Sequence, residues 1–482
     1  MSVENEGNKI VSGMIWRFGE KITAQLVSFI VSIVLARLLM PEDYGVVAIV
    51  NIFIVIAEIF VTSGLGTSLI QKKDADDIDF STVFWCNLIL SFILYTVVFF
   101  LAPIVAEFYS NTLLTPVLRV FGLRLPISAV NSIQNAYVSR KMDFKKFFFA
   151  TLIGTVISAI VGIIMAYTGF GVWALIAQYL TNSIIDTAVL FIAIKWHPHF
   201  VFSIQRAKPL LSYGWKILAT DFIGTVFNQL NAFIIGKAYT SADLAYYTQG
   251  KKIPDLVNNN IGATLNAVLF PAMSLSTNYE EIKRIRKKSL MMMEYVVFPL
   301  MFGMIAVADK MIVVLMTEKW LPAVSYVRIT CLAAIIGTLG TTLIQEIKAI
   351  GRSDVTLKME LIKKPFFLVI ALVAIQFGIE AVAWTLVIDE IIAFCFNVYP
   401  VRKYIGFDFL IYLRDALPSL IMSSIMVIFV VAIGNLIRND MICLMIQVVT
   451  GGTVYIGLSI ISNNKSFIYL KDMLKHKIAR GQ

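Results

Sequence analysis

GMIWRFGEKITAQLVSFIVSIVLARLLMPEDYG, residues 13–45, is apolar from Ile22 to Leu39. That run is long enough for a bilayer, which takes about 20 residues of helix. Yet Arg17, Glu20 and Lys21 stand in its first turns, and a charge in hydrocarbon costs roughly 2.5–3.5 kcal/mol on insertion scales. Arg17, Lys21, Gln25, Ser28 and Ser32 recur at helical spacing, so they share one face opposite Leu, Ile, Val and Phe. Glu20 is within reach of Arg17 and can partly neutralise it. Such a stripe faces either a partner helix or water. Arg17 alone could snorkel to the headgroups. Snorkelling does not account for Gln25, Ser28 and Ser32, for which helix packing stays open.

The rest of the chain continues the theme. Of 482 residues, 58% are hydrophobic and 15% charged, with mean hydropathy +0.80. A soluble domain carries roughly 25% charged residues, so the composition is that of an integral membrane protein. Apolar windows predict an all-α fold of about fourteen transmembrane helices. They lie near 12–39, 44–70, 80–102, 113–136, 145–168, 173–195, 213–236, 243–273, 290–316, 324–348, 358–377, 380–401, 415–437 and 441–462. An even number puts both termini on one side. The segments on that side hold the basic clusters, among them Lys72 and Lys73, Arg140 to Lys146, Lys283 to Lys288, and the tail from Lys465. The opposite side has Arg37, Lys237, Lys310, Lys319 and Arg438. The positive-inside rule then orients both termini to the cytoplasm. The net charge of +10 is therefore an orientation signal and not a sign of nucleic-acid binding.

Several classes are disfavoured. The N-terminus, MSVENEGNK, is polar and carries no cleavable signal. Cys86, Cys331, Cys395 and Cys443 lie in apolar runs at unrelated spacings, which suits core packing better than metal or disulfides. His197 and His199 form an isolated HPH, and no metal or other cofactor is expected. No GxxxxGK[ST] phosphate loop is present, and the outer loops, such as TGFGV at 168–172, are too short for a catalytic domain. The chain reads as a transporter and not an enzyme.

A weak repeat relates WRFGEKITAQL at 16–26 to WKILATDFIGT at 215–225. The offset of about 200 residues equals six spans, which would relate two lobes by an axis along the membrane normal. Chance similarity between two amphipathic helices is the other explanation. The expected division is 1–205, 206–404, and 405–482 with the last two spans and a basic tail. The seventh span repeats the stripe with Lys216, Thr220, Gly224, Asn228 and Asn231, and Asp221 on its shoulder. The eighth, ADLAYYTQGKKIPDLVNNNIGATLNAVLFPAM at 242–273, sets Lys251 and Lys252 near mid-membrane. Pro254 is expected to break it; Lys251 and Asp255 are spaced to pair, and Lys252 lacks a local partner. Either it is a re-entrant segment or it forms a cationic cavity wall, the reading taken here, and two lysines at depth suggest an anionic ligand. Arg124, Arg119, Glu58, Asp186, Asp389 and Glu390 are also deep, each open between structural pair and site.

The substrate candidates are thus Arg17, Lys21, Gln25, Arg124, Lys216, Asn228, Lys251 and Lys252. Glu58, Asp186, Asp221 and Asp255 are candidates for proton or sodium coupling.

LARLLMPEDYG at 35–45, SGLGTSLIQKKD at 63–74, NAYVSRKMDFKKF at 135–147 and KWHPHFVFSIQRAKPLLSYGW at 195–215 resemble the Wzx-type polysaccharide-repeat-unit flippases. The last two resemble the branch of colanic acid and teichuronic acid exporters, within the multidrug/oligosaccharidyl-lipid/polysaccharide superfamily. The resemblance implies two six-helix lobes around a cavity, with two extra helices shaping a groove for a lipid tail. It implies flipping of an undecaprenyl-pyrophosphate-linked oligosaccharide to the outer leaflet by alternating access, for export of surface polysaccharide. Arg17 or Lys21 and Lys251 or Lys252 are then the candidates to receive pyrophosphate, with Lys standing where relatives use Arg in the eighth span. Implied partners are the lipid-linked oligosaccharide, the bilayer, and the polymerase and glycosyltransferases of the same pathway. A multidrug cation exporter of the superfamily is the first alternative, disfavoured by the lysines. A membrane polysaccharide polymerase is the second, disfavoured by the short outer loops.

Overall fold

A computed structural model describes residues 3–472, apart from 73, 142, 195, 275, 277, 407, 408 and 470. The side chains of 3–15, 17, 18, 263–271 and 353 also lie outside the description. Among the described residues the chain is helical, without a strand. It divides into two compact units between Ala245 and Tyr246.

The first unit contains α1 (Val3–Leu38), α2 (Pro41–Thr62), α3 (Leu65–Gln71), α4 (Asp77–Phe108), α5 (Leu114–Phe121), α6 (Arg124–Lys141), α7 (Phe144–Tyr167), α8 (Val172–Ala193) and α9 (Ile204–Ala238). It ends in the first residues of α10 (Ser241–Ser274). The second holds the rest of α10 with α11 (Tyr279–Met316), α12 (Ala323–Ala349), α13 (Ser353–Ala374), α14 (Ile379–Tyr404), α15 (Phe409–Gly434) and α16 (Asp440–Ile461). All but α3 and α5 are long. By length and apolar character nine spans qualify to cross a membrane among the described residues: α1, α2 with α3, α4, α7, α8, α11, α12, α15 and α16. The protein is therefore a multi-pass membrane protein. The remaining long helices carry charged or amide side chains along their length, such as Asn131 and Asn135 on α6 and Lys251 and Asp255 on α10.

Local chemistry sets the boundaries. Pro41 opens α2, where its missing N–H is no loss, and the Asp43 carboxylate accepts the Met40 N–H at 3.2 Å. At the start of α4 the Asp79 N–H donates to Asp76 at 3.0 Å and the Asp76 N–H to Asp79 at 3.1 Å. These reciprocal bonds satisfy donors that a helix start leaves open. The expected second span is two helices, divided at Ser63 and Gly64, where Gly64 takes φ +86°. The expected fourth span likewise divides between α5 and α6. The eighth span differs from expectation in the opposite sense. α10 runs unbroken through Pro254; a proline removes one ladder bond, which the flanking turns of this 34-residue helix absorb.

The first unit packs around Leu65, Leu69, Phe80, Phe84, Ile133 and Trp196, all buried. Tyr137 stacks on Trp196 with centroids 5.8 Å apart. The HPH stretch is bound to this core by its backbone: Trp85 Nε1 donates to the His199 carbonyl at 2.8 Å, and the His199 N–H donates to Ser81 at 3.1 Å. α7 and α8 approach through small residues. A Cβ on Gly154 would meet the Asn182 carbonyl at 3.2 Å, and one on Gly162 the Gln178 Cβ at 2.9 Å. Membrane helices associate by such close packing. The second unit packs Leu290, Leu343, Ile347, Val401, Ile405 and Tyr412 together.

Candidate functional site

The polar interior of the first unit is built on α6. Arg124, at its first turn, reaches Glu58 of α2 at 3.2 Å, and Ser128 one turn on donates to the other oxygen of that carboxylate. Another turn along, Asn131 Nδ2 donates to Asp186 at 3.0 Å and to Thr187 at 3.2 Å, both on α8. Thr151 of α7 lies between two carboxylates, 3.5 Å from Asp186 and 3.3 Å from Glu20 of α1. Polar groups from α1, α2, α6, α7 and α8 are thus joined, as burial within a bundle requires. Arg124 and Glu58 pair with each other, and Asp186 is held by amide and hydroxyl donors.

Beside this network, α2, α3 and α6 enclose a cleft of about 260 Å³. Thr62, Thr67, Ser128, Ser132, Asn135 and Ser139 line it, with Glu58 and Asn131 at its wall. Arg140, at the end of α6, ties that helix to α3 by donating to the carbonyls of Leu69, at 3.0 Å, and Lys72.

The two stripes stand apart from this cleft. Lys21 and Ser28 of α1 are exposed, Gln25 is half-buried and Ser32 buried; the Arg17 side chain lies outside the described residues. On α9, Lys216, Asp221 and Asn228 are exposed and Asn231 is buried. Exposed apolar side chains share these helices, Leu26 and Ile30 on α1 and Ile223 on α9. In the second unit, Lys251 Nζ lies 3.5 Å from the Tyr247 hydroxyl and over its ring, with Asp255 its electrostatic partner one turn on. Lys252 is half-buried and is engaged within the fold.

Residues 34–325 match the family model described as polysaccharide biosynthesis protein. The chain belongs to that family. This polysaccharide biosynthesis protein is 22% identical to the succinoglycan biosynthesis transport protein ExoT of Rhizobium meliloti, over 94% of its own length and 93% of the relative's. It is also 22% identical to the teichuronic acid biosynthesis protein TuaB of Bacillus subtilis, over 87% of each chain. Its fold is similar to that of the lipid II flippase MurJ in an inward closed conformation, with a TM-score of 0.77. The match covers 96% of this chain and all of that one at 16% identity.

Sequence reasoning on this polysaccharide biosynthesis protein missed two features. One is the neutral polar face of α6, legible in the spacing of Ser128, Ser132, Asn135 and Ser139 had that window been read for hydroxyls and amides as well as charges. The other is the charged interior of the second unit. There Arg286 pairs with the fully buried Glu346 at 3.0 Å, and the buried Lys363 pairs with Glu360 and meets Asn397 at 3.4 Å. Arg286 joins Lys283, Arg284 and Lys287 around a cleft of about 530 Å³ between α11 and α15. In the sequence these cations read as topology alone, because sequence does not show what a side chain closes on.

Proposed function

We propose that this protein flips a polyprenyl-pyrophosphate-linked oligosaccharide across the bacterial cytoplasmic membrane, as a transporter in surface polysaccharide synthesis and not as an enzyme. The observation that carries the reading is that Lys21, Lys216, Asp221 and Asn228 are exposed on helices that also expose large apolar residues. Charges at such positions are costly in lipid and gain from water or a charged ligand. A lipid-linked sugar joins a polar head that hydrocarbon rejects to a tail that hydrocarbon accepts. A protein with wet, cationic helix faces can carry the head while the tail stays in lipid.

In this proposal Arg17 or Lys21 on α1 and Lys251 or Lys252 on α10 receive the pyrophosphate. Lysine serves there as a compact point charge and not a bidentate fork. Two lobes, spans one to six and seven to twelve, alternate access around the head, with residues 405–482 added. The ligand moves that equilibrium only through its different affinity for the two states. Asp221 and Asp255, exposed or half-buried near the lysines, are the coupling candidates for protons or sodium. Glu58 and Asp186 are already engaged, and their coupling role would require those bonds to break. Both termini are cytoplasmic, and the polymerase and glycosyltransferases of the pathway are the functional partners. The Lys21→Ala variant, at normal expression, is expected to lose export of the glycan. Unchanged export would remove Lys21 from the site.

A further inference from the structure

We infer that the cleft between α2, α3 and α6 holds a sugar ring of the transported glycan, at a place separate from the phosphate-binding lysines. This rests on the lipid-linked reading above and adds which part of the head is recognised where. The lining is neutral in effect, since its one carboxylate, Glu58, is paired with Arg124 at 3.2 Å. What remains are hydroxyls and amides, groups that both donate and accept, as sugar hydroxyls do. A phosphate would find no free cation here, and a cationic drug would find no free carboxylate.

Much of this hydrogen-bonding capacity is unspent. Among the described residues, the hydroxyls of Thr67, Ser132 and Ser139 have no partner. Asn135 Nδ2 donates to the Asn131 carbonyl at 3.0 Å, which leaves its Oδ1 as an acceptor on the cleft. Polar side chains that serve only to join helices bond across to a neighbour, as Asn131 does to Asp186 and Thr187. Ser128 also bonds across, to Glu58, but Thr67, Ser132, Asn135 and Ser139 of the lining do not. Thr62 and Thr67 are exposed at its mouth, so the cleft is open. Small residues also line it, Gly66, whose added Cβ would meet the Ser132 hydroxyl at 3.4 Å, and Ala136. At about 260 Å³ it falls just below the roughly 300 Å³ at which drug-sized sites begin. One or two rings fit, and a whole repeat unit does not. Asn131, held by two acceptors on α8, fixes the wall in advance, so little ordering is needed on binding.

The test uses the full-length protein in nanodiscs with two probes, undecaprenyl pyrophosphate alone and the lipid-linked oligosaccharide extracted from the source cells. Binding is read by native mass spectrometry for wild type, Asn135→Leu and Ser132→Ala. Each variant is expected to lose about tenfold in affinity for the lipid-linked oligosaccharide, the worth of one hydrogen bond to a desolvated partner. Affinity for undecaprenyl pyrophosphate is expected to stay unchanged, which also reports that the fold is intact. Equal losses for both probes, or no loss for either, would overturn the assignment of the cleft. Wild-type protein that binds undecaprenyl pyrophosphate no more weakly than the lipid-linked sugar would overturn it too, leaving the flippase reading in place. Wild type that binds neither would overturn that reading itself.

Discussion

Two aspartates at the start of α4 show how single side chains hold a membrane protein at its polar edge. Asp79 is wholly buried yet meets Lys72 at 2.7 Å and Arg206 at 3.5 Å, besides closing the cap with Asp76. Its cationic partners are each about a third exposed, so solvent screens their loss. The Asp79→Ala variant should therefore cost about 2 kcal/mol, mostly lost charge-assisted hydrogen bonds and the cap, seen as a lower melting temperature in detergent. Asp76 differs in kind. The Asp79 backbone N–H, followed by Arg206, holds its carboxyl below the usual value of 3.8. A depressed carboxylate contributes stability that is complete above its unfolded value and is lost as pH falls through the folded one. Melting temperatures taken from pH 6 down to pH 3 should fall less steeply for Asp76→Asn, which keeps the cap but cannot titrate. Equal slopes would show that Asp76 adds nothing to acid lability.

Among the elements, the joint between α2 and α3 is tightly constrained. Gly64 sits at φ +86°, and a Cβ there would lie 2.6 Å from the Gly214 carbonyl of α9. Gly214 returns the constraint, since its own Cβ would lie 2.9 Å from the Gly64 carbonyl carbon. Ser68 bonds both the Gly64 carbonyl, at 2.7 Å, and the Leu210 carbonyl, at 3.1 Å. The Gly64→Ala variant combines left-handed strain of about 1–3 kcal/mol with a clash against backbone that cannot rotate away. Chemical denaturation should show a loss at the upper end of that range. A loss under about 0.5 kcal/mol, the scale of an ordinary surface substitution, would mean that α9 moves freely at this joint. The continuity of α10 through Pro254 was not legible for the opposite reason. Pattern reading counts the lost hydrogen bond, whereas the helix continues on either side of it.

At the scale of the molecule, the proposed orientation rests on the distribution of charge. Single cysteines at Thr168 and Gln376, in a variant without the four free cysteines, should react with a membrane-impermeant maleimide in intact cells. Cysteines at Asp74 and Glu280 should react only after permeabilisation. The reverse pattern would invert the proposed topology and with it the direction of transport.

The helical membrane class and the family were both legible in one dimension. Hydrophobic length and positional charge act locally, and a window of 20 residues or so holds them. So was the presence of polar stripes on the first and seventh spans, because helical periodicity alone places Lys21 with Gln25 and Lys216 with Asn228. What those side chains meet was not. That Arg124 spends its charge on Glu58, that Asp186 is held by Asn131, and that Thr67 comes to face Ser132 across a cleft all depend on residues 50 or more positions apart in the chain being brought together by packing. Partner and distance decide whether a buried polar group is satisfied or available, and neither has a signature in a linear pattern.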